Sequence, residues 1–277
     1  MHSTKNCPIL VADFHRITVF IVAKTRRLRR GLIKYLLLCF ILPVAVILTW
    51  WLLREQEQLE FVRYEEFGID MPVNYSMHGI DISKFQGKVN WMAVRQMQVD
   101  NIRISFAFIK ATEGITRQDG TFARNWEKAG ESGIIRGAYH FFYSTRDPVK
   151  QAINFRNVVD LKSGDLPPVL DIEVHNNQPA AVIRSTARIW LEEMEKTYGV
   201  KPIIYTNIHF YETYLGKEFD EYPLWVAHYY QKDKPRSTRN WIFWQHSDIG
   251  RVNGIRTTVD FNVFRGDSAE LMKLCIP

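Results

Sequence analysis

The sequence predicts an α/β fold: an irregular (β/α) TIM-like barrel with eight strands and a reduced helix set in the C-terminal half, preceded by one transmembrane helix. Three observations lead there. From His78 onward, short apolar strand patterns alternate with helical patterns about a dozen residues long, as parallel β/α units do. Eight candidate strands fall within about 200 residues, enough to close a barrel, and the last three leave no room for full helices between them. Ahead of them, Leu36 to Leu53 is an 18-residue run without a charge, the length that spans a bilayer core.

The flanks of that run are lopsided. Lys24, Arg26, Arg27, Arg29, Arg30 and Lys34 precede it, whereas Arg54 and then Glu55, Glu57 and Glu60 follow. Basic residues are retained on the cytoplasmic side, so everything after the run is exported. Trp50 and Trp51 mark an interface, and Pro43 is tolerated inside a membrane span. No small-residue cleavage site follows, which indicates an uncleaved anchor. The organisation expected is a basic cytoplasmic tail (1–34), a signal anchor (35–54), a polar stalk (55–77) and a barrel domain (78–277). The chain would sit in a bacterial cytoplasmic membrane as a single-pass protein, with the barrel in the periplasm or outside.

The net charge of +6 does not indicate nucleic acid as a partner. Residues 1–34 hold eight Lys and Arg against one acid, while from Met77 onward 26 face 23. The surplus is mostly topogenic and marks no phosphate-binding face. Cys7, Cys39 and Cys275 offer neither a disulfide pair within the exported part nor metal spacing. No metal and no cofactor is expected.

Taken in order, Gly79–Ser83 is a short strand ending in an acid, Asp81. Trp91–Gln98 is helical. Asn101–Lys110 is a β-branched and aromatic strand. Phe122–Glu131 has helical spacing and stops near Gly133. Ile134–Phe142 is a strand. Asp147 caps a helix with Pro148 at its first position, running to about Leu161. Leu166–Glu173 is the central strand, opened by two prolines where a missing N–H does least harm. Pro179–Tyr198 is a long amphipathic helix stopped by Gly199. Pro202–Tyr205, Leu224–Tyr229, Trp241–Gln245 and Thr257–Val263 are strands, with a short helix near His209–Leu215 after the first of them.

The central strand carries the chemistry. Asp171 and Glu173 are two positions apart, so they share a face with Cα atoms roughly 6–7 Å apart. Two acids at the end of an apolar strand are costly unless paired or used. Barrel sites lie at the C-terminal strand ends. Asp81, Asp171, Glu173 and Asp260 fall at such ends, with Glu113 in the loop after its strand. Aromatics accompany them: Tyr139, Phe141, Tyr205, Trp225, Tyr229 and Trp244. Carboxylates among ring faces suit a carbohydrate cleft. There is no glycine-rich phosphate loop and no nucleophile-elbow motif.

These residues carry a resemblance. Gly79-Ile80-Asp81-Ile82-Ser83-Lys84-Phe85-Gln86-Gly87 with Val89-Asn90-Trp91 resembles the opening motif of glycoside hydrolase family 25, the Chalaropsis-type lysozymes. Phe108-Ile109-Lys110-Ala111-Thr112-Glu113-Gly114, Gly137-Ala138-Tyr139-His140-Phe141-Phe142, Leu170-Asp171-Ile172-Glu173, Ile204-Tyr205, Leu224-Trp225-Val226-Ala227, Trp244-Gln245 and Val259-Asp260 follow in the family's order. The resemblance implies an N-acetylmuramidase cutting the β-1,4 bond between N-acetylmuramic acid and N-acetylglucosamine in peptidoglycan. It makes Glu173 the general acid and Asp171, Asp81 and Asp260 the other catalytic carboxylates. Lys110, Glu113 and Gln245 join Tyr139, Phe141, Tyr205, Trp225 and Tyr229 as substrate-binding residues. Many members are secreted or released lysins, whereas this chain reads as tethered.

A negative Asp171 beside Glu173 is expected to raise the latter's pKa. The two acids are too close to straddle the scissile bond. That favours a retaining, substrate-assisted route in which the sugar's 2-acetamido oxygen attacks and Asp171 holds its N–H. Asp260 as nucleophile or base is the competing assignment. An inactive, membrane-tethered peptidoglycan-binding domain and a barrel glycosidase acting on chitin are the alternative functions.

Overall fold

The computed structural model describes residues 39–50, 60–231 and 233–277, and the chain divides into two units, 1–58 and 59–277. In the first unit, residues 39–50 form a helix, α1, with exposed side chains. Among the described residues, no helix is long and apolar enough to cross a membrane. The expected span, 35–54, runs past α1 at both ends. Those flanks and the basic tail 1–34 lie outside the described residues.

The second unit opens with β1 (Phe61–Tyr64), β2 (Ile69–Pro72) and β3 (Met77–Ile82). There follow α2 (Trp91–Gln96), β4 (Gln98–Val99), β5 (Ile102–Glu113), β6 (Arg117–Gln118), α3 (Phe122–Glu131), β7 (Ile135–Phe141) and α4 (Pro148–Arg156). The rest is β8 (Val169–Asp171), α5 (Ala180–Tyr198), β9 (Ile203–Asn207), α6 (Ile208–Phe210), β10 (Leu224–Ala227), β11 (Phe243–Gly250), β12 (Val259–Phe264) and α7 (Ser268–Leu274). The caps form as expected. Asp147 accepts from the backbone N–H groups of Val149 (2.9 Å) and Lys150 (3.1 Å) at the start of α4, and Gly199 ends α5 at φ 72°, a left-handed position that suits glycine.

Eight strands close the barrel, in wall order β3, β5, β7, β8, β9, β10, β11 and β12. Neighbours from β3 to β11 are parallel. β12 is antiparallel to both β11 and β3. The reason is chain length: residues 251–258 are too few for the crossover of a dozen or more residues that a parallel neighbour requires.

Alternation along each strand sorts the side chains into two layers. Inside lie Phe106, Phe108, Trp225 and Phe243. The Phe108 ring stacks on Trp225 with centroids 4.2 Å apart. Glycine makes room for these rings. A Cβ on Gly79 would sit 2.4 Å from Phe106, and one on Gly137 2.6 Å from Phe108. The outer faces pack on α2 to α5 where helices exist, as Ile104 and Leu170 do.

The expected stalk, 55–77, is corrected. From Glu60 on it belongs to the domain. β1 and β2 pair as an antiparallel hairpin, and Phe67, Ile69 and Met71 are buried. Phe61 meets Trp244 at 6.0 Å and Phe67 meets Phe261 at 5.6 Å, ring to ring. The hairpin thus covers the apolar outer face of β11 and β12, where no helix is available. The acidic residues Glu65, Glu66 and Asp70 disguised it, because they occupy the turn and the solvent face while the apolar residues between them pack inward.

Phe67→Ala is therefore expected to cost about 3–5 kcal/mol, as deletion of a buried phenylalanine does. Urea unfolding of the full chain measures it, and a neutral result would return the segment to a mere spacer.

Candidate active site

The strand pattern delivers Asp81 from β3 and Asp260 from β12 to the same place, as directly paired residues. Asp260 reaches the rim from the beginning of its strand and not from the end, because β12 runs against its neighbours. Asp171 closes β8, paired with Phe141 and Tyr205 on either side. Glu173 lies just past the strand, half-buried.

Asp81 is buried, at 7% exposure. Its Oδ2 accepts two amide N–H bonds, from Gln245 Nε2 and Asn262 Nδ2, each 2.7 Å. The amides are themselves oriented. Trp225 Nε1 donates to Asn262 Oδ1 at 2.7 Å, and an indole N–H can only donate, so the Asn262 NH2 is left to face the carboxylate. Tyr205 and Tyr229 donate their hydroxyls to Gln245 Oε1 at 2.7 and 2.6 Å.

Burial nevertheless pushes Asp81 up to about 6 against these donors. Burial, the Asp81 charge and a hydrogen bond to Asp81 push Asp260 up to about 9. Both members of the pair are thus pushed toward their protonated forms, Asp260 further than Asp81. Both members of the second pair are raised as well. Asp171 is raised well above the usual carboxylate range, by burial and then by the Glu173 charge, with Lys110 opposing. Glu173 is raised by burial and then by Asp81, again opposed by Lys110. The expected cause of the Glu173 shift, Asp171, is thus displaced by burial. Asp171 Oδ1 is buried and has no hydrogen-bond partner among the described residues.

Lys110 donates to Glu113 Oε2 at 2.9 Å and lies 4.8 Å over the Phe141 ring. Burial alone would raise Glu113, but the bonds from Lys110, Tyr143 and Arg117 outweigh it and hold Glu113 down at about 2. The Tyr139 phenol is kept well above its ordinary pKa by burial and by the charges of Asp81, Asp171 and Asp260. It stays a proton donor at the centre of the carboxyl groups.

The sequence profile of glycosyl hydrolases family 25 matches residues 80–255. The chain belongs to glycosyl hydrolase family 25. It is 46% identical over 207 residues to the Uncharacterized protein YegX of Escherichia coli (strain K12), covering 75% of this chain and 76% of that protein. It is 36% identical over 214 residues to Lysozyme M1 of Streptomyces globisporus, covering 72% and 71%. A family 25 glycosyl hydrolase from Bacillus anthracis has the same fold, with a TM-score of 0.68 at 29% identity over 76% of this chain and 99% of the other.

As a family 25 glycoside hydrolase, the chain brings most of its sequence-expected residues to one rim: Asp81, Lys110, Glu113, Tyr139, Phe141, Asp171, Glu173, Tyr229 and Asp260. Two expected substrate contacts are corrected. Trp225 is 2% exposed and stacked on Phe108, and Gln245 is 2% exposed. They are buried supports of Asp81 and present no ring or amide face to a sugar, whereas Tyr205 is as exposed as Asp81, at 7%. Asn262 escaped the sequence reading. Its signal was its place two residues after Asp260, which puts it on the same inward face of β12. His140 and His246 pack on the outer layer and are lowered to about 3 by burial. Among the described residues, no group of three His, Cys, Asp or Glu could hold a metal ion.

Removing a donor from a carboxylate raises its pKa. Asn262→Leu should move the lower titration of the Asp81–Asp260 pair upward from about 6, read by carboxyl 13C NMR. An unmoved titration would mean that Asn262 does not solvate Asp81.

Proposed function

We propose that this family 25 enzyme is a muramidase, cutting the β-1,4 bond between N-acetylmuramic acid and N-acetylglucosamine in peptidoglycan. The observation that carries the mechanism is the orphan Asp171 Oδ1, a buried acceptor beside Glu173 with no partner from the protein. A buried acceptor without a donor is costly, and the 2-acetamido N–H of the sugar supplies one. A donor on Asp171 favours its ionised form. The proton held by the Asp171–Glu173 pair then resides on Glu173, which becomes the general acid as substrate binds.

The steps follow. Glu173 gives its proton to the glycosidic oxygen as the C1–O bond breaks. The acetamido carbonyl oxygen bonds to C1 from the opposite face, and Asp171 steadies the resulting cation through its N–H. Glu173, now a carboxylate, takes a proton from water as that water attacks C1 and displaces the acetamido oxygen. Two displacements give retention. Asp260 is the weaker nucleophile candidate because burial and Asp81 keep it protonated at neutral pH. The dyad's single negative charge, on Asp81, instead raises Glu173 and stabilises positive charge at C1.

The same proposal places the barrel outside a bacterial cytoplasmic membrane, held by the uncharged run 36–53. What supports it is the charge asymmetry around that run and its length.

Glu173→Gln should lower kcat by about 10²–10⁴-fold, the usual share of a general acid, with reducing-end muramic acid as the wild-type product in mass spectra of digested sacculi. Wall binding without cleavage by wild type would make the domain a binder instead. An inverted product would exclude the acetamido route. For the anchor, alkaline-carbonate extraction should leave the full chain in the membrane pellet, and its release to the supernatant would refute the tether.

A further inference from the structure

Beside the carboxyl groups, on the β5–β7–β8 side of the rim, lies a cavity of about 500 Å³, within the size range of small-ligand sites. Its walls are the β5–β6 turn with Ile115 and Arg117, the loop after β7 with Tyr143 and Arg146, and Asn176 from the loop after Glu173. The walls are held in place. Asn154, buried beneath, donates to the carbonyls of Gly114 (2.9 Å) and Arg117 (3.1 Å). Glu113 ties Lys110, Arg117 and Tyr143 together at 2.8–2.9 Å.

The charge here is opposite to that of the catalytic rim. Of the residues that line it, Arg117 and Arg146 face one acid, Glu113, which is saturated by its three partners. Asp147 is occupied in capping α4. Arg146 is exposed, and no carboxylate among the described residues pairs with its guanidinium. A sugar ring is neutral and does not answer an unpaired guanidinium, whereas a carboxylate does so bidentately.

We propose that this cavity receives the peptide stem of the muramyl residue, with Arg146 binding a stem carboxylate, Arg117 adding positive charge and Ile115 offering an apolar contact to the first side chains. The inference rests on the muramidase reading and deepens it. A glycan lying across Asp171 and Glu173 carries its peptide on the lactyl branch of the muramyl ring, and the only free carboxylates of such a substrate lie along that branch. Asn176 enters the cavity wall three positions after Glu173, at a left-handed φ of 46°, so the acid and this wall share one short loop.

The test compares hydrolysis of peptidoglycan bearing its stems with hydrolysis of the same glycan stripped by an amidase, using the full chain in detergent. In wild type, kcat/KM should favour the stem-bearing substrate. Arg146→Glu should reduce that preference at least five-fold through KM, while Arg146→Lys retains most of it. An unchanged preference in Arg146→Glu would overturn the proposal. If wild type cleaves neither substrate, the muramidase reading falls by itself. The free stem tetrapeptide then decides this proposal by NMR: saturable shifts of the Arg146 and Asn176 side-chain signals, lost in Arg146→Glu, support the site, and their absence refutes it.

Discussion

Keeping a carboxylate charged inside the mouth of a closed barrel is the constraint on which the rest of this structure depends. Asp81 is buried, and burial disfavours its charge. Two amide N–H groups replace the lost water, and those amides are aimed by an indole and two phenols that come from below and beside them. The aromatic floor therefore has two functions. Phe106, Phe108, Trp225 and Phe243 fill the barrel interior as buried rings, with Gly79 and Gly137 clearing space for Phe106 and Phe108. The edge of one of these rings, Trp225 Nε1, also begins the hydrogen-bond chain that ends on Asp81. A substitution in the floor would be felt as a change of charge at the rim.

Four carboxyl groups in one rim cannot all ionise, and the structure divides them into two pairs with different fates. Asp81 and Asp260 face each other across antiparallel strands, one solvated by amides and the other pushed further toward its protonated form. Asp171 and Glu173 follow each other along one chain and are left less satisfied, with Lys110 close enough to oppose the rise of both. In the proposed mechanism the first pair supplies a fixed field and the second supplies the mobile proton. Glu113, of the same residue type, is excluded from proton chemistry because three donors hold it ionised.

The wall of the barrel shows how a short chain closes a sheet that a longer one would close with helices. Among the described residues there is no crossover helix after β10, and β12 turns back antiparallel. That reversal leaves the outer faces of β11 and β12 bare, and the N-terminal hairpin covers them with Phe61, Phe67 and Met71. The reversal is also what lets a residue at the start of a strand, Asp260, meet one at the end of another, Asp81.

Much of this was legible along the chain. Period-two apolar runs, the Asp147–Pro148 cap and the Gly199 stop depend on neighbours a few residues away, so the strands, the helices and the barrel class could be read directly. The common rim of Asp171 and Glu173 was suggested by strand alternation, although β8 stops at Asp171 and Glu173 lies in the chain just past it. What depended on partners distant in sequence could not be read. Trp225 and Gln245 looked like sugar contacts, because nothing local reveals that 2% of Trp225 is exposed or that its N–H is taken by Asn262, 37 residues away. The hairpin looked like a stalk, because its apolar residues gain a reason only when β11 and β12 lack a helix. The sequence alone determined the strands and helices of the barrel, the family and the acids that gather at the rim, but not the hairpin. Tertiary structure alone decided which acid is pushed furthest toward its protonated form and which aromatic is buried, since both turn on desolvation and on donors brought together by folding.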